Sequence, residues 1–368
     1  MGLAACDAGD PQLQEVDAPP VHVIEVLAST GVDADGKPVK VALAGDGSTT
    51  GVLPTSSLVI RFDRFLEPVS VSRQSFCVSG TTTAVNDPAG CVEGRAFEQP
   101  VYDPVHRTAT LYLPAGQTLP LATKHTVTML APPAEPGDLD FGFRAFDGAP
   151  LEATTAFQFT TVDSDPDGPI ERPSAEDRFC KAAACLGERE LSPAVLTCQA
   201  ACDPMLSAAD CLASCCPGGA LTLLNGCAYT TCHAPSSDEA NPLGAAMGLD
   251  MLTTDFIRLT AIGKTAHQTQ QGEHADDGDQ NPARFGRAMP IIDPGSAGNS
   301  YLMYKVMAHP DFLTLSNGEL DPAEQQRMRS TLVVGMPMPA VPFSSLSKLQ
   351  QYEALSAWIA QGAPTTCP

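Results

Sequence analysis

"SSLVIRFDRFLEP" (residues 56–68) is a short apolar run bounded by serine and proline. A second run of this kind, "VHVIEVLAST", spans residues 21–30, and "TTAFQFTTV" at 154–162 alternates apolar with polar side chains. Residues 108–130 contain two further alternating strands around a turn. Because these runs are short and regularly spaced, with turn residues between them, we predict an antiparallel β-sandwich over residues 20–162.

Three stretches of this region also resemble bacterial Ig-like domains of the S-layer (SbsA) type. They are "LVIRFDRFLEP" (58–68), "LPLATKHTVTM" (119–129) and the final "FQFTT" (157–161). The resemblance implies a spacer or adhesive module without catalysis. Cys77 and Cys91 are the two cysteines of this region, and we predict a local disulfide across one hairpin.

Composition limits the classes of function. The chain has 368 residues and a formal net charge of −22. Such an acidic surface repels nucleic acid and anionic lipid, so DNA or RNA binding is not expected. No apolar run approaches the roughly 18 residues of a membrane-spanning helix. With 33 prolines and 30 glycines, short elements joined by many turns are favoured, in two or three domains.

Thirteen cysteines indicate an oxidising compartment or cofactor chemistry. "LAAC" at residues 3–6 matches a bacterial lipobox, in which Cys6 becomes lipidated, and the alternative is a chance match at the terminus. Polar residues follow, and residues 1–19 are therefore interpreted as a lipidated tether. The prediction is an exported lipoprotein of the bacterial cell envelope, periplasmic or at the cell surface, attached to the membrane through Cys6.

Residues 163–177 are rich in aspartate and proline and are interpreted as a flexible acidic linker. They begin like a calcium loop, D-x-D-x-D-G, over 163–168. The twelfth position of such a loop would be Ser174, where a glutamate is expected.

A cysteine-rich segment follows over residues 178–218. Its spacing resembles the twin C-x3-C helical hairpin, which implies bridges from Cys198 to Cys215 and from Cys202 to Cys211. A zinc cluster is the rival interpretation, and the connectivity of the segment and of Cys367 is not given by sequence. Its seven cysteines lie at positions 180, 185, 198, 202, 211, 215 and 216.

Residues 219–368 are predicted to be helical. Asp321, followed by a proline and then Glu324, is typical of a helix start, and this helix should reach about Leu332. A second helix is expected over 344–364, ended by a glycine, and a third over 297–309.

Four motifs of this region occur in a characteristic order. "CAYTTCH" (227–233) comes first, then "PGSAGNSYLMYKV" (294–306), "GMPMP" (335–339) and "LSAWIAQGAP" (355–364). Together they resemble the cytochrome-c-like C-terminal domain of bacterial exported lipoproteins. The resemblance implies an all-α domain with covalent haem c.

Carried over by position, Cys227 and Cys232 would be the thioether anchors of the haem and His233 its proximal ligand. Met338 would be the distal ligand, with Met336 in reserve. Thiols, an imidazole and a thioether are the groups that a haem c of this type requires, and Met/His ligation suits electron transfer.

The spacing of this motif is unusual, because four residues separate Cys227 from Cys232 instead of two. Positions five apart lie about 140° apart around a helix, so both thiols can face one haem only from an irregular turn. A plain Cys227–Cys232 disulfide is the alternative. His267 and His274 are interpreted as loop residues, and His309 as a favourable cation at a helix end.

We therefore predict a multidomain protein: an all-β Ig-like sandwich, a disulfide-rich helical hairpin and an all-α cytochrome-c-like domain. Its predicted function is single-electron transfer by one haem c, to redox partner proteins with basic surfaces. The alternative is a haem-free, disulfide-stabilised surface, adhesion or structural lipoprotein of the envelope. A subunit of a larger oxidoreductase complex is a third interpretation.

Overall fold

Two structural units divide the chain, a β unit over residues 11–173 and a helical unit that includes 174–368. The computed structural model describes the following residues: 18–34, 36–80, 91, 97–133, 141–164 and 171 of the β unit, and 249, 251, 254–266, 289–316, 318–331, 333 and 349–363 of the helical unit.

The described part of the β unit contains two sheets. The first has five strands in the order β2-β1-β4-β7-β6, with every neighbouring pair antiparallel. The second has four strands in the order β3-β9-β8-β5. The strands are β1 Val23–Val32, β2 Pro38–Ala42, β3 Thr49–Val52, β4 Leu58–Phe62, β5 Phe76–Ser79, β6 Val101–Asp103, β7 Thr108–Leu111, β8 Lys124–Met129 and β9 Thr155–Thr161.

The two sheets enclose one apolar core, as the sandwich prediction requires. Along β4, Leu58, Ile60 and Phe62 are buried in this core, whereas the side chains between them are half-buried on the outer face. Val127 of β8 and Phe159 of β9 reach the same core from the second sheet. The alternation in "LVIRF" is thus the pattern of a strand with one face in the core.

One detail of the predicted sandwich is wrong. β3 pairs with β9 in parallel, so the sandwich is not wholly antiparallel. The stretch 108–130 contains two strands, β7 and β8, as predicted, and these two strands belong to different sheets. Strand alternation predicts which residues lie in strands, but it does not state which strands become neighbours.

The predicted disulfide between Cys77 and Cys91 is present, with the two Cα atoms 5.8 Å apart. Cys77 lies in β5, which pairs with β8, and Cys91 lies outside the described strands. The residues between the two cysteines, 81–90, lie outside the described residues, so the predicted hairpin stays a prediction. In the chain-entropy view, closing a loop of this length restricts the unfolded chain.

Removing this bridge should destabilise the β unit. For the variant C77A/C91A, we expect the free energy of unfolding of this unit to fall by about 3 kcal/mol, as for a closed loop of roughly 15 residues. Hydrogen exchange of the β-strand peptides measures this value separately from the helical unit. C77A alone should give the same loss, since either substitution opens the loop. Unchanged exchange in both variants would contradict the prediction.

The described helices of the helical unit are α1 Thr254–Thr260, α2 Tyr301–Met307, α3 Pro310–Leu315, α4 Pro322–Thr331 and α5 Leu349–Ala360. The three predicted helices correspond to α2, α4 and α5. Helix α4 begins at Pro322, where Asp321 Oδ1 accepts a hydrogen bond from the amide of Ala323 at 2.9 Å. After α5, Gly362 has φ +94°, which a residue with a side chain adopts only with strain.

Helix α2 is wholly buried, since all seven of its residues are buried. A short 3₁₀ turn, Ala297–Asn299, precedes α2, and the hydroxyl of Tyr304 donates to the carbonyl of Gly298 at 2.7 Å. Among the described residues of this unit, five helices are present, and isolated β-bridges join Ile262 to Ile292 and Thr265 to Pro290. The described residues give no haem-binding fold.

His309 lies at the end of α2, as predicted, where its amide donates to the carbonyl of Val306 at 3.1 Å. The same residue is the N-cap of α3. Its Nδ1 accepts a hydrogen bond from the amide of Asp311 at 3.2 Å. The same nitrogen lies 3.4 Å from Asp311 Oδ2, so the His309 ring and Asp311 fix the start of α3 together.

Candidate functional site

The residues predicted to bind haem lie outside the described residues. These are Cys227, Cys232, His233 and Met338, with Met336 as the reserve ligand. The same holds for the proposed lipidation site Cys6, for the cysteines of segment 178–218 and Cys367, and for His267 and His274. Haem binding, lipidation and the central cysteine pairing therefore stay predictions.

Within the described ranges, no group of three or more His, Cys, Asp or Glu side chains is placed to hold a metal ion. In the same ranges, no helix is long and apolar enough to cross a membrane. The notable polar side chains of the β unit instead form two groups, and the first of these lies where the chain enters β1.

Arg64 and Asp147 form a buried ion pair at this position, with side chains 2% and 0% exposed. Nη1 of Arg64 also donates to the carbonyl of Pro19, and its guanidinium lies over the ring of Phe146, 5.8 Å from the centroid. Removing one partner of such a pair typically costs about 3–5 kcal/mol, since the other charge remains buried. Arg64 thus fixes the chain before β1 to the loops that follow β4 and precede β9.

His22 strengthens the same junction from the surface. Its amide donates to Asp63 Oδ1 at 2.8 Å, and its Nδ1 lies 2.7 Å from Asp63 Oδ2. Its Nε2 lies 3.2 Å from a carboxylate oxygen of Glu152. Because the two carboxylates approach opposite nitrogens of the ring, they favour an imidazolium and do not converge on a common metal position. We call His22 and Arg64, with their three acidic partners, the N-terminal pin.

The His22 contacts should make stability depend on pH. The hydrogen bond to Asp63 raises the pKa of His22 above its ordinary 6.5, the charges of Asp63 and Glu152 add to the shift, and burial opposes it. A raised pKa in the folded state means that the stabilisation is fully present below about pH 6.5 and is lost as pH rises through the folded pKa. His22 is 46% exposed, so solvent screening limits the effect to below about 1 kcal/mol.

We therefore expect H22Q to destabilise the β unit at pH 5.5 and to have no effect at pH 8.5. Thermal unfolding or hydrogen exchange of the β1 peptide at both values measures the difference. D63N should remove most of the pH dependence while His22 remains. An equal effect of H22Q at both pH values would contradict this assignment.

The second group lies on the outer face of the five-stranded sheet. Lys40 of β2 is opposite Ser29 of β1. The β1–β4 register, in which Leu27 faces Val59, continues to place Ser29 opposite Ser57. Opposed residues of antiparallel strands point to the same face, so these polar side chains form one row across the sheet.

Glu171 lies over this row, ten residues after the end of β9. Its Oε2 accepts from Lys40 Nζ at 2.5 Å and from Ser57 Oγ at 2.6 Å. Lys40 Nζ also donates to Ser57 Oγ at 2.8 Å, and the amide of Glu171 donates to the carbonyl of Thr55. The Glu171 side chain is only 8% exposed. We call Lys40, Ser57 and Glu171 the Glu171 latch.

Burial dominates the electrostatics of the latch. Desolvation lowers the pKa of Lys40 below its ordinary 10.5, while the Glu171 carboxylate opposes that shift. Burial also raises the pKa of the neighbouring Tyr112 to about 12, and the Glu171 charge adds to it. A serine beside a lysine can act as a nucleophile with its base, but here Ser57 is 3% exposed and its hydroxyl donates to Glu171. The arrangement therefore suits a structural contact.

Sequence reasoning missed both groups. Arg64 and Asp147 had a detectable signal, because charged residues within Phe-rich stretches, "FDRF" and "FRAFDG", are typical of a buried ion pair. No sequence signal indicated the burial of Glu171, since this residue lies in the acidic, proline-rich segment interpreted as a linker. The latch holds the chain to the β unit as far as residue 171, which is within that predicted linker.

The two groups lie at opposite ends of the five-stranded sheet. His22 directly precedes β1, whereas the latch lies at the row that contains Ser29, seven residues along the strand. At about 3.3 Å per residue, this separates them by roughly 23 Å. β9 runs in the same direction as β1. Before β9, the amide of Glu152 donates to the carbonyl of Val21, just ahead of β1. After β9, the amide of Val162 donates to the carbonyl of Val52, and the amide of the adjacent Leu53 donates to the carbonyl of Ser29 in β1. The first described residues of the unit thus lie beside the start of β1, and Glu171, its last described residue, lies about seven residues farther along that strand.

Comparison with known proteins identifies no family. No protein-family model matches the chain. No curated protein matches it.

Among solved structures, the chain has weak similarity to S-layer proteins. For surface layer protein SbsC, domains 1–6, the TM-score is 0.24 at 15% identity, covering 40% of this chain and 14% of that one. For the N-terminal part of the bacterial S-layer protein SbsC, the TM-score is 0.24 at 14% identity, covering 39% of this chain and 24% of that one. The chain spans less than a quarter of the length of these structures, and at this TM-score the similarity assigns neither fold nor function.

Proposed function

We propose that this chain is a structural protein of the bacterial cell envelope or cell surface, in which the β unit is a spacer. The observation that carries the proposal is the position of the two ends of this unit. Chain termini of a domain often lie close together. Here the N-terminal pin and the Glu171 latch fix the incoming and outgoing chain at opposite ends of one sheet, which adds length between whatever precedes and follows the unit.

The contacts at both ends support this role, because a spacer has to keep its length. A chain that merely passed through loops at each end could swing freely. Instead, buried charges hold residue 19 through Arg64 and residue 171 through Lys40. The Cys77–Cys91 bridge adds stability and is typical of exported proteins, which agrees with the proposed envelope location.

Replacing the β unit tests the spacer role. In cells that export the protein, deletion of residues 20–171 should reduce the accessibility of the C-terminal region to external protease. An unrelated β-sandwich of similar size, with its termini at opposite ends, should restore that accessibility. A matched sandwich with adjacent termini should not. If no foreign sandwich restores it, the β unit has a specific binding role and the spacer proposal is wrong.

A second candidate function is single-electron transfer by haem c, for which the ordered motifs of residues 227–364 are the support. Helices occur where two of these motifs predicted them: α2 begins at Tyr301 of the "SYL" motif, with Ser300 as its N-cap, and the "AWI" motif lies in α5. In this proposal Cys227 and Cys232 would hold the haem covalently, and His233 and Met338 would bind its iron. A bound haem c would supply reversible one-electron chemistry.

Covalent haem is measured directly. When the full chain is produced in a host with c-type haem maturation, this proposal expects one haem per chain in a pyridine haemochrome spectrum. C232S should abolish or weaken the attachment, whereas C77S, which removes a cysteine outside the motif, should not. A chain without haem, with Cys227 and Cys232 found linked by mass spectrometry, would favour the haem-free alternative.

A further inference from the structure

The path of the chain after β9 raises a mechanical question. β9 belongs to the four-stranded sheet, whereas the chain enters the β unit through β1 of the five-stranded sheet. If the chain were pulled at the start of β1 and at the end of β9, the force would have to pass from the five-stranded sheet to the four-stranded sheet. The sheets meet across an apolar core and a few backbone hydrogen bonds, such as that from Leu53 to Ser29. Apolar contacts are not directional and resist sliding poorly.

Glu171 changes this path, because it lies on the five-stranded sheet. Its carboxylate binds Lys40, which belongs to β2, and Ser57, which directly precedes β4. Both strands pair with β1 through backbone hydrogen bonds. Tension that reaches residue 171 is thus transferred to the same sheet that the N-terminal pin holds at its opposite end.

The hydrogen bonds of Glu171 with Lys40 and Ser57 are of a kind that resists tension along the chain. A single carboxylate oxygen accepts from an ammonium and from a hydroxyl, and charge-assisted hydrogen bonds are about twice as strong as neutral ones. The Glu171 side chain is 8% exposed and that of Lys40 24%, so water and salt screen the pair less than they would a surface pair. Ser57 contacts both charges, which fixes their relative position.

We propose that Lys40, Ser57 and Glu171 form a force-bearing latch, which returns tension from the outgoing chain to the five-stranded sheet. This inference rests on the proposed spacer role and deepens it. While the latch is closed, the load runs along β1, β2 and β4 in shear. When it opens, residues 163–171 extend first and the load moves to β9.

Glutamate-specific proteolysis tests whether the latch is closed at rest. The protease must bind the Glu171 carboxylate in its own pocket, so it cleaves after Glu171 only when the latch is open. In the full chain with its disulfides intact, we expect K40M to be cleaved at this position at least about tenfold faster than the wild type. K37M is the matched control, because Lys37 is an exposed lysine of the same β1–β2 hairpin and its loss changes the net charge equally. Equal rates for K40M and K37M would overturn the latch.

Force spectroscopy tests its mechanical role. With the full chain pulled through terminal peptide tags, the wild type and K37M should each lengthen in one step before the β unit unfolds. The step equals the extended length of residues 163–171, roughly 30 Å, minus the distance that these residues span while the latch is closed. K40M and E171Q should lack this early step. Because the load lies on β9 in every chain once the latch is open, the later unfolding of the β unit should need the same force in all of them. E171Q keeps the shape of the side chain and guards against a packing effect of K40M.

The outcomes separate the two proposals. If all four chains behave alike while the β unit resists force, the latch is overturned and the spacer stands. If the β unit of the wild type unfolds without measurable resistance, the spacer proposal itself fails.

Discussion

The pairing of β1 with β4 is the constraint on which the β unit depends. This antiparallel ladder places Val23 opposite Phe62 at one end and Leu27 opposite Val59 at the other, and the same register extended by two residues brings Ser29 to Ser57. His22 and Arg64 lie next to the first end of this ladder, and the polar row beneath Glu171 lies next to the second end. A shift of one residue would turn Leu58, Ile60 and Phe62 away from the core and expose them to water. The apolar core therefore fixes the register, and the register fixes both polar groups.

Local patterns were sufficient for the elements and insufficient for their contacts. The alternation in "LVIRF" and the Asp-Pro-x-Glu start of α4 depend on neighbouring residues, so both were predicted from sequence. The parallel pairing of β3 with β9 and the separation of β7 from β8 depend on how distant segments meet, which no local pattern states. The Cys77–Cys91 pair was predictable because the region offers two cysteines, but its position relative to the strands was not.

Glu171 illustrates the same limit for the candidate site. Its neighbours are aspartates and prolines, and by composition the segment is typical of a linker. Its burial depends on Lys40 and Ser57, which precede it by 131 and 114 residues. Composition describes the average behaviour of a segment, whereas one charged side chain with a buried partner can hold it in place. Arg64 differs, because the phenylalanines on both sides of it already indicate that its charge is enclosed.

The two candidate functions depend on different residues and do not exclude each other. The spacer proposal uses residues 19–171 and requires that both ends of one sheet be held against displacement. The haem proposal uses residues 227–338 and requires two thiols, an imidazole and a thioether around one iron. A chain with a net charge of −22 carries self-repulsion that favours separation of its acidic parts and disfavours close association with other acidic surfaces.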